Sequence, residues 1–334
     1  MNKLSIVRGE SRGENIKKAI LLIEGDINRA IKNKKSNTLF IKVNAIDPNF
    51  PLAGTHINAI EAVLELFYSK FKRIIIGDNS FAFTKNKGTF YQEILNKFPK
   101  IEFSDLTGFD SEDIEFMMDN GKIALGKVSL LPKQAFTISL ALPKTHDTFV
   151  YTGCLKNMFG CVISGRGNLH AQSLLKRLFL NEYTLLNKIK WQNLIRVIEK
   201  TKPDLFILDG YEGMEGNGPL FGNKVKLRIA MCSADGINLD RLASKICGMN
   251  YVPYLSMLSS KDKPEIIKRG FKDFKEIEKK FKMHYNYKYQ IANCPISSIP
   301  AIDIRFLVSV LKRAYRIKDK VFEKLEKKKK MKKS

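Results

Sequence analysis

The chain has 334 residues, 44% of them hydrophobic, which is enough to bury the core of one large domain or two. This composition excludes an intrinsically disordered chain, and no stretch approaches the roughly 18 apolar residues that a membrane-spanning helix needs. The net charge of +24 would attract polyanions such as nucleic acid or an acidic membrane surface. A lysine-rich, solvated surface explains the same charge without any such partner.

The N-terminal residues and the cysteines together favour a cytoplasmic location. The opening sequence MNKLSIVRGESRGENIKK contains no apolar signal-peptide core. The five cysteines are odd in number and scattered, which suits reduced thiols better than a disulfide framework. No CxxC pair occurs, so the chain has no iron–sulfur motif and no zinc-ribbon motif. The cofactor stays unknown at this stage.

The first half of the chain predicts alternating strands and helices. TLFIKVNAI (38–46) is a strand, residues 56–71 form an amphipathic helix, and RIIIGDNS (73–80) is a short apolar strand. A strand, a helix and a second buried strand predict a right-handed βαβ unit in a parallel sheet. The same patterns predict helices over 14–35 and 89–98, a strand over 101–106, and a short helix followed by a strand within 112–135.

The second half predicts further strands and a C-terminal helix. Strands are expected over 136–143, 204–210 and 226–235, and helices over 170–200, 238–247 and 300–317, with Gly248 as a C-cap. Residues 250–298 are harder to interpret, with a helix expected over 251–258 and strands within 277–291. We therefore expect an α/β fold with a mostly parallel sheet flanked by helices and a smaller α+β C-terminal portion. The predicted domains are an α/β domain (1–260), a C-terminal extension packed on it (261–317) and a basic, disordered tail (318–334).

Polar residues follow nearly every predicted strand. In an open parallel sheet, ligands bind just beyond the carboxyl ends of the strands, so these residues indicate a site at one edge. Each of them alone could be a loop residue or a helix cap. The residues concerned are Lys42, Asn44, Asp78, Asn79, Lys144, His146, Asp209, Gly210 and Asp235.

A group of cations and amides predicts an anion-binding site. Lys144, Lys156 and Arg166, together with Asn44 and Asn157, supply donors suited to phosphate or carboxylate oxygens. We assign catalytic roles to His146, Lys144 and Lys156, since an imidazole titrates near neutral pH and can exchange a proton. A purely structural, hydrogen-bonded role for His146 is the alternative.

The glycine-rich loop YEGMEGNGPLFG (211–222) is a second candidate ligand segment. Glycines let the backbone approach a ligand closely, and Glu212 and Glu215 could bind a divalent cation. The loop is not a dinucleotide fingerprint or a P-loop, because neither the following helix nor the Lys-Ser/Thr pair is present. A structural turn is the alternative.

Several linked motifs resemble the domain-of-unknown-function 362 family. They are LPKTH, CLKNMFG, LDGYEGMEGNGPLFG and ADGINLDRLASKICG, preceded by FIKVNA and IIIGDNS, and the resemblance covers about residues 38–260. It implies an α/β domain of unassigned activity. Many members carry a ferredoxin-like cysteine module that this chain lacks, and Val43 stands where the family tends to have proline. The resemblance marks Lys42, Asn44, Lys144, His146, Lys156, Asn157, Gly160, Asp209, Gly210, Glu215, Gly216, Gly218, Pro219, Gly222, Asp235 and Asp240.

Three functions are compatible with these features. The first is an enzyme or binding protein for a small anionic metabolite. In it Lys144, Lys156 and Asn157 hold the anion, and His146 exchanges a proton. One of the acids Asp209, Glu215, Asp235 or Asp240 positions a polar group or cation. The second is association with nucleic acid through the tail, where twelve Lys or Arg and three acids lie between Lys312 and Ser334, and through the aromatics of MHYNYKY (283–289). The third is a redox role with a partner that supplies an iron–sulfur cluster.

Overall fold

The structure, a computed structural model, describes residues 3–46, 51–80, 89–118, 121–165, 181–260, 262–284 and 287. It contains a mixed, mostly parallel sheet flanked by helices and a smaller antiparallel sheet, which confirms the predicted α/β class. Four earlier predictions lie outside the described residues. They are Arg166, the start of the 170–200 helix, the 300–317 helix and the basic tail.

The strands and helices are bounded as follows. The strands are β1 (Lys3–Arg8), β2 (Thr38–Lys42), β3 (Arg73–Gly77), β4 (Ile101–Ser104), β5 (Ser111–Met117), β6 (Ile123–Ser129), β7 (Phe136–Ala141), β8 (Lys144–His146), β9 (Val150–Thr152), β10 (Val162–Ser164), β11 (Leu205–Glu215), β12 (Asn223–Ser233) and β13 (Glu265–Arg269). The α-helices are α1 (Arg12–Leu21), α2 (Glu24–Lys34), α3 (Ile57–Phe67), α4 (Leu131–Gln134), α5 (Cys154–Asn157), α6 (Asn181–Thr201), α7 (Gly236–Ile246) and α8 (Pro253–Ser256). Short 3₁₀ helices are Pro51–Ala53, Tyr68–Lys70, Thr89–Asn96, Met158–Cys161 and Phe274–Glu276.

The order of the strands places a switch point between β2 and β7. The main sheet runs β13–β1–β12–β11–β7–β2–β3–β4, and β2 pairs in parallel with both β3 and β7. After β2 the chain moves outward through α3 to β3 and then β4, and it returns on the other side of β2 as β7. The predicted βαβ unit is therefore present. At such a reversal the carboxyl ends of neighbouring strands leave a crevice in which α/β proteins bind ligands.

Both faces of the central strands β2, β3 and β7 are buried, which explains their nearly continuous apolar sequences. Leu39 and Ile41 of β2 pack on the side of α1, α2 and α3, whereas Phe40 points into the core that includes α5, α6 and α7. Burial of a side chain of this size contributes about 1.5–3 kcal/mol. Two such cores fix β2 and β7, so the residues at their carboxyl ends are held on a rigid base.

Some local predictions were wrong. Residues 111–117 form β5 of an antiparallel hairpin with β6, not the short helix expected near 112. The buried residues Ile114 and Phe116 alternate with exposed Asp113 and Glu115, which is the period of a strand.

Other elements differ in extent. The helix predicted over 14–35 is interrupted at Leu22 and Ile23, giving α1 and α2, and residues 89–96 are 3₁₀ helix. Neither β1 nor β13 was predicted; β13 pairs in parallel with β1 at the end of the main sheet. In the range 277–291, the described residues up to 284 contain no strand.

Candidate functional site

Asn157 fills the switch point and joins the two strands beside it. Its side-chain nitrogen donates to the main-chain oxygen of Lys42 at 2.8 Å, to Ser139 Oγ at 3.1 Å and to the Leu140 oxygen at 3.4 Å. Lys42 ends β2, and the other two acceptors lie in β7. The amide therefore fixes α5 against the carboxyl ends of both strands. We call Lys42, Asn44, Lys144, His146, Lys156 and Asn157 the switch-point site.

Lys42 positions this site rather than presenting a free charge. Its ammonium group donates to the Val43 oxygen at 2.7 Å, to Asp78 Oδ1 at 2.8 Å and to Asn157 Oδ1 at 3.3 Å. These contacts use all three of its protons, and only 1% of the residue is exposed. The other Asp78 oxygen accepts the main-chain N–H of Ala45 at 3.0 Å. The ion pair is thus satisfied inside the protein.

Gly160 is required by the same ion pair. A Cβ atom at this position would collide with Asp78 Oδ1 and with Lys42 Nζ. The Gly160 oxygen also accepts the main-chain N–H of Asn79 at 3.1 Å, so the backbone passes directly over the buried charges. The glycine predicted as a ligand residue therefore has a packing role here.

Lys144 is a fully buried cation. Its ammonium group donates to the Ala53 oxygen at 2.6 Å, and within the described ranges no carboxylate lies at ion-pair distance from it. Burial, and after it the nearby charge of Lys156, lower the pKa of Lys144 to about 7, while Asp78 opposes the shift. Near neutral pH this side chain is therefore divided between its charged and neutral forms.

Lys156 supplies a second positive charge to the site. The residue is half-buried at the end of α5, and its Nζ lies 4.9 Å from the centre of the Phe149 ring. Such a cation–π contact stabilises a partly desolvated ammonium group. The charge of Lys156 lowers the pKa of both Lys144 and His146, so the three side chains share one electrostatic environment.

His146 is buried, and its Nδ1 has two incompatible neighbours. The main-chain N–H of Thr148 points to Nδ1 at 3.0 Å, whereas Asp147 Oδ1 lies 2.7 Å away and would need a proton on Nδ1. Burial first, and then Lys156, lower the pKa of His146 to about 3, so the ring is neutral at pH 7. We favour Nδ1 as the acceptor, because the Asp147 side chain is 53% exposed and can turn to solvent. Nε2 then carries the proton.

Asn44 presents an unsatisfied acceptor at the switch point. Its main-chain N–H donates to Thr55 Oγ1 at 2.8 Å, and this hydroxyl donates to the Leu140 oxygen at 3.1 Å. The Asn44 side-chain oxygen is buried and has no hydrogen-bond partner among the described residues. An unpaired buried acceptor costs about 1–3 kcal/mol, so a donor on a ligand would be stabilised there.

Asp209 belongs to a separate ion-pair cluster. Arg12 contacts Asp209 Oδ2 through Nε at 3.2 Å and Glu212 Oε2 through Nη2 at 2.9 Å. Burial raises the pKa of Asp209 to about 6, although Arg12 opposes the shift. The neighbouring Gly210 leaves room for Ile229 of β12. These contacts tie α1 to β11.

Residues 211–215 of the predicted glycine-rich loop belong to β11, and residues 216–222, which keep the name glycine-rich loop, support β8. The Thr145 hydroxyl donates to the Gly216 oxygen at 2.9 Å, and Gly218 passes so close to the Thr145 oxygen that a Cβ atom would collide with it. Gly218 precedes a cis peptide bond to Pro219, and Gly222 lies against the Glu215 main chain. Glu215 accepts the main-chain N–H of Lys282 at 2.8 Å. The loop thus holds the strand that carries Lys144 and His146.

Asp235 and Asp240 both act at helix N-termini. Asp235 caps α7 by accepting the N–H groups of Ile237 and Asn238, each at 3.0 Å. Asp240 is fully buried and accepts the N–H groups of Cys154 at 3.0 Å and Leu155 at 2.8 Å. Burial raises its pKa to about 7, and the two N–H groups oppose that rise. Asp240 therefore positions α5, which carries Lys156 and Asn157.

Sequence reasoning missed Ser139 and Thr55, which orient Asn157 and Asn44. Ser139 lies within β7, where its only signal is a polar residue inside an apolar run, and Thr55 lies in the loop before α3, where the sequence carries no signal. A surface cleft of about 720 Å³ between β5, β6 and α6 is lined by none of the predicted site residues.

Two features are absent from the described residues. No group of three or more His, Cys, Asp or Glu side chains there is arranged to bind a metal ion. In the same ranges, none of the helices has the length and apolar character needed to cross a membrane.

Comparison with known families agrees with the resemblance of the motifs. The sequence profile described as "Domain of unknown function (DUF362)" matches residues 39–245, from β2 into α7 and over more than half of the chain. A search of curated proteins finds no match. All six residues of the switch-point site lie inside the matched region. The chain belongs to the domain-of-unknown-function 362 family.

Proposed function

We propose that this protein binds a small anionic metabolite at the switch-point site and that His146 exchanges a proton with it. Lys144 and Lys156 would hold the anionic group, and Asn157 would keep α5 in place beneath it. The proposal extends to Arg166 as a further cation, and to Lys42, Asp235, Asp240 and the glycine-rich loop as the residues that position these side chains.

The observation that carries this proposal is the burial of Lys144 without a carboxylate partner among the described residues. A buried ammonium group is costly unless an opposite charge compensates for it. Lys42 lies close by but is already paired with Asp78. An anion between Lys144 and Lys156 would offset the repulsion between the two cations and restore the charged form of Lys144.

The remaining polar groups indicate the chemistry of the ligand. Asn44 offers an unpaired acceptor, so the ligand should carry a hydroxyl or amino donor in addition to its phosphate or carboxylate. The anion would also offset the charge of Lys156 and thereby raise the low pKa of His146. A bound anion would thus make His146 more basic, and a proton taken up at Nδ1 would displace the Thr148 N–H that occupies this atom in the ligand-free protein. This coupling suits a proton-transfer step that must wait for the substrate.

Native mass spectrometry of freshly purified protein tests the proposal. Wild-type protein should retain a stoichiometric acidic ligand, and Lys144→Met should lose it. Lys32→Met is the matched control, because Lys32 is an exposed lysine on α2, and this variant should keep the ligand. A ligand that persists in Lys144→Met would refute the assigned role of Lys144. If the purified protein carries no ligand, binding of inorganic phosphate to wild type, Lys144→Met and Lys32→Met is measured instead, with the same expected pattern.

Nucleic-acid binding is the second proposal, and the net charge of +24 favours it. It predicts binding to RNA or DNA that weakens steeply with salt and falls when residues 318–334 are deleted. A gel shift at low ionic strength tests both statements, and equal binding by the full chain and the truncated form would refute a role for the tail.

The redox alternative gains no support from the described cysteines, which are all buried: Cys154, Cys161, Cys232 and Cys247. Burial raises the pKa of Cys154, Cys232 and Cys247, and such thiols are poor ligands and nucleophiles.

A further inference from the structure

The turn between β8 and β9 contains a strained residue beside His146. Val150 has a φ of +64°, a conformation that β-branched residues rarely adopt. It lies opposite His146 in the antiparallel pair formed by β8 and β9. The main-chain N–H of Tyr151 donates to the Phe149 oxygen at 2.7 Å, which closes a γ-turn around Val150. Such strain persists only where the surrounding structure forces it, and it is concentrated at functional sites.

Contacts with two helices and with the His146 ring hold this turn in place. Trp191 of α6 donates through Nε1 to the Thr148 oxygen at 3.1 Å. The main-chain N–H groups of Thr148 and Phe149 both point to His146 Nδ1, at 3.0 Å and 3.4 Å. Phe149 is only 2% exposed, and its ring meets Tyr254 of α8 edge-on with ring centres 6.3 Å apart. The strained turn is therefore fixed from several directions.

The turn places the Phe149 ring between two side chains of the switch-point site. The centre of this ring lies 4.9 Å from Lys156 Nζ and 5.2 Å from the centre of the His146 ring. The ammonium group lies over the aromatic face, which carries partial negative charge and attracts a cation. The two rings meet at 81°, edge to face. Lys156 belongs to α5 and His146 to β8, so one aromatic side chain connects the polar groups of both elements.

We infer that Phe149 is a positioning residue that sets the separation of Lys156 and His146, and that the strained turn at Val150 keeps its ring between them. This inference rests on the proposed function only in assigning Lys156 and His146 to the ligand. A lysine ammonium group sits on a flexible four-carbon side chain, and fixing it during binding costs free energy. The Phe149 ring fixes the ammonium group before the anion arrives, so that binding loses less conformational freedom.

Fluorinated phenylalanines at position 149 test the role of the ring. Fluorine withdraws electron density from the aromatic face and nearly preserves the shape of the side chain, so a purely structural role would hardly respond. The affinity for phosphate, measured by calorimetry, should fall stepwise along the mono-, di- and trifluoro series, by about twofold to thirtyfold in total. The same series at Phe67 is the control, because that ring contacts Lys70 at 5.7 Å outside the switch-point site and should leave the affinity unchanged.

An affinity that stays constant along the Phe149 series would overturn the inference. A rising affinity would overturn it too, since the ring would then compete with the ligand for Lys156. If phosphate binding is lost in Lys144→Met while the fluorinated series has no effect, the anion site stands and the role of Phe149 is refuted.

Proton NMR tests the arrangement without any ligand. The ring current of Phe149 should shift the side-chain protons of Lys156 upfield, and Phe149→Leu should abolish this shift. Val150→Gly relieves the strained turn and should reduce the shift, whereas Phe67→Leu should leave it unaltered. Absence of the shift in wild type would overturn the inference, and an unaltered shift in Val150→Gly would refute the part assigned to the turn. The expected shifts in a protein that binds no phosphate would uphold the positioning of Lys156 and refute the proposed function.

Discussion

Lys144→Met should change the stability of the ligand-free protein in a pH-dependent manner. A pKa lowered from 10.5 to about 7 means that the unfolded chain binds this proton more tightly than the folded protein does. The corresponding penalty is about 4 kcal/mol at pH 7 and about 3 kcal/mol at pH 8.5. Stability should therefore rise with pH in this window, because the folded protein loses its unfavourable buried charge.

The methionine removes this penalty but leaves the Ala53 oxygen without its donor. That loss costs about 1–3 kcal/mol, so the variant should be about 2 kcal/mol more stable than wild type at pH 7. Its advantage should shrink by about 1–2 kcal/mol between pH 7 and 8.5. Urea denaturation at several pH values measures the free energy of unfolding and how it changes with pH. Lys32→Met should show the same pH dependence as wild type. The same pH dependence in wild type and Lys144→Met would refute the reasoning.

Three further predictions concern the same site. In urea denaturation, Gly160→Ala should lower the free energy of unfolding by about 1–3 kcal/mol or more. Gly25 has open space around it, so Gly25→Ala should instead stabilise α2 by about 0.5–1 kcal/mol. Equal effects of the two substitutions would contradict the packing assigned to Gly160. Asp235→Ser should keep phosphate binding and nearly all of the free energy of unfolding, whereas Asp235→Ala should lower that free energy by about 1 kcal/mol. Loss of phosphate binding in the serine variant would show that Asp235 contacts the ligand and does not only cap α7. The affinity for phosphate, measured by calorimetry, should fall by up to about tenfold for each pH unit above the Lys144 pKa of about 7, because the anion binds the protonated amine. An affinity that does not change with pH would rule out this linkage.

The parallel part of the sheet was predictable because each of its strands is a short apolar run that can be detected without knowing its partners. Residues 38–42 and 73–77 are buried on both faces, which produces uninterrupted apolar runs that the periodicity detects. β1 escaped prediction because its partners, β12 and β13, lie more than 200 residues away along the chain. β5 was mistaken for a helix because its acidic residues obscured the alternation of Ile114 and Phe116, whereas β6 corresponds to the strand predicted after it.

The placement of the polar residues was predictable, but their contacts were not. Polar residues after strands were expected at the carboxyl edge of the sheet, and the structure brings Lys42 and Asn157 together there. Whether a charge faces a ligand or a buried partner depends on contacts between distant segments, and no spacing in the sequence encodes them. Lys42 and Asp78 lie 36 residues apart and satisfy each other, whereas Lys144 in the same region has no such partner among the described residues.

The most direct test of the anion site is an anomalous diffraction experiment. Crystals grown without sulfate or phosphate are soaked in selenate, a tetrahedral dianion whose selenium can be located independently of the protein. The account predicts an anomalous peak within hydrogen-bond distance of Lys144 Nζ and close to Lys156, and its loss in Lys144→Met crystals soaked in the same way. Peaks confined to surface lysines, with none beside Lys144, would contradict the central claim.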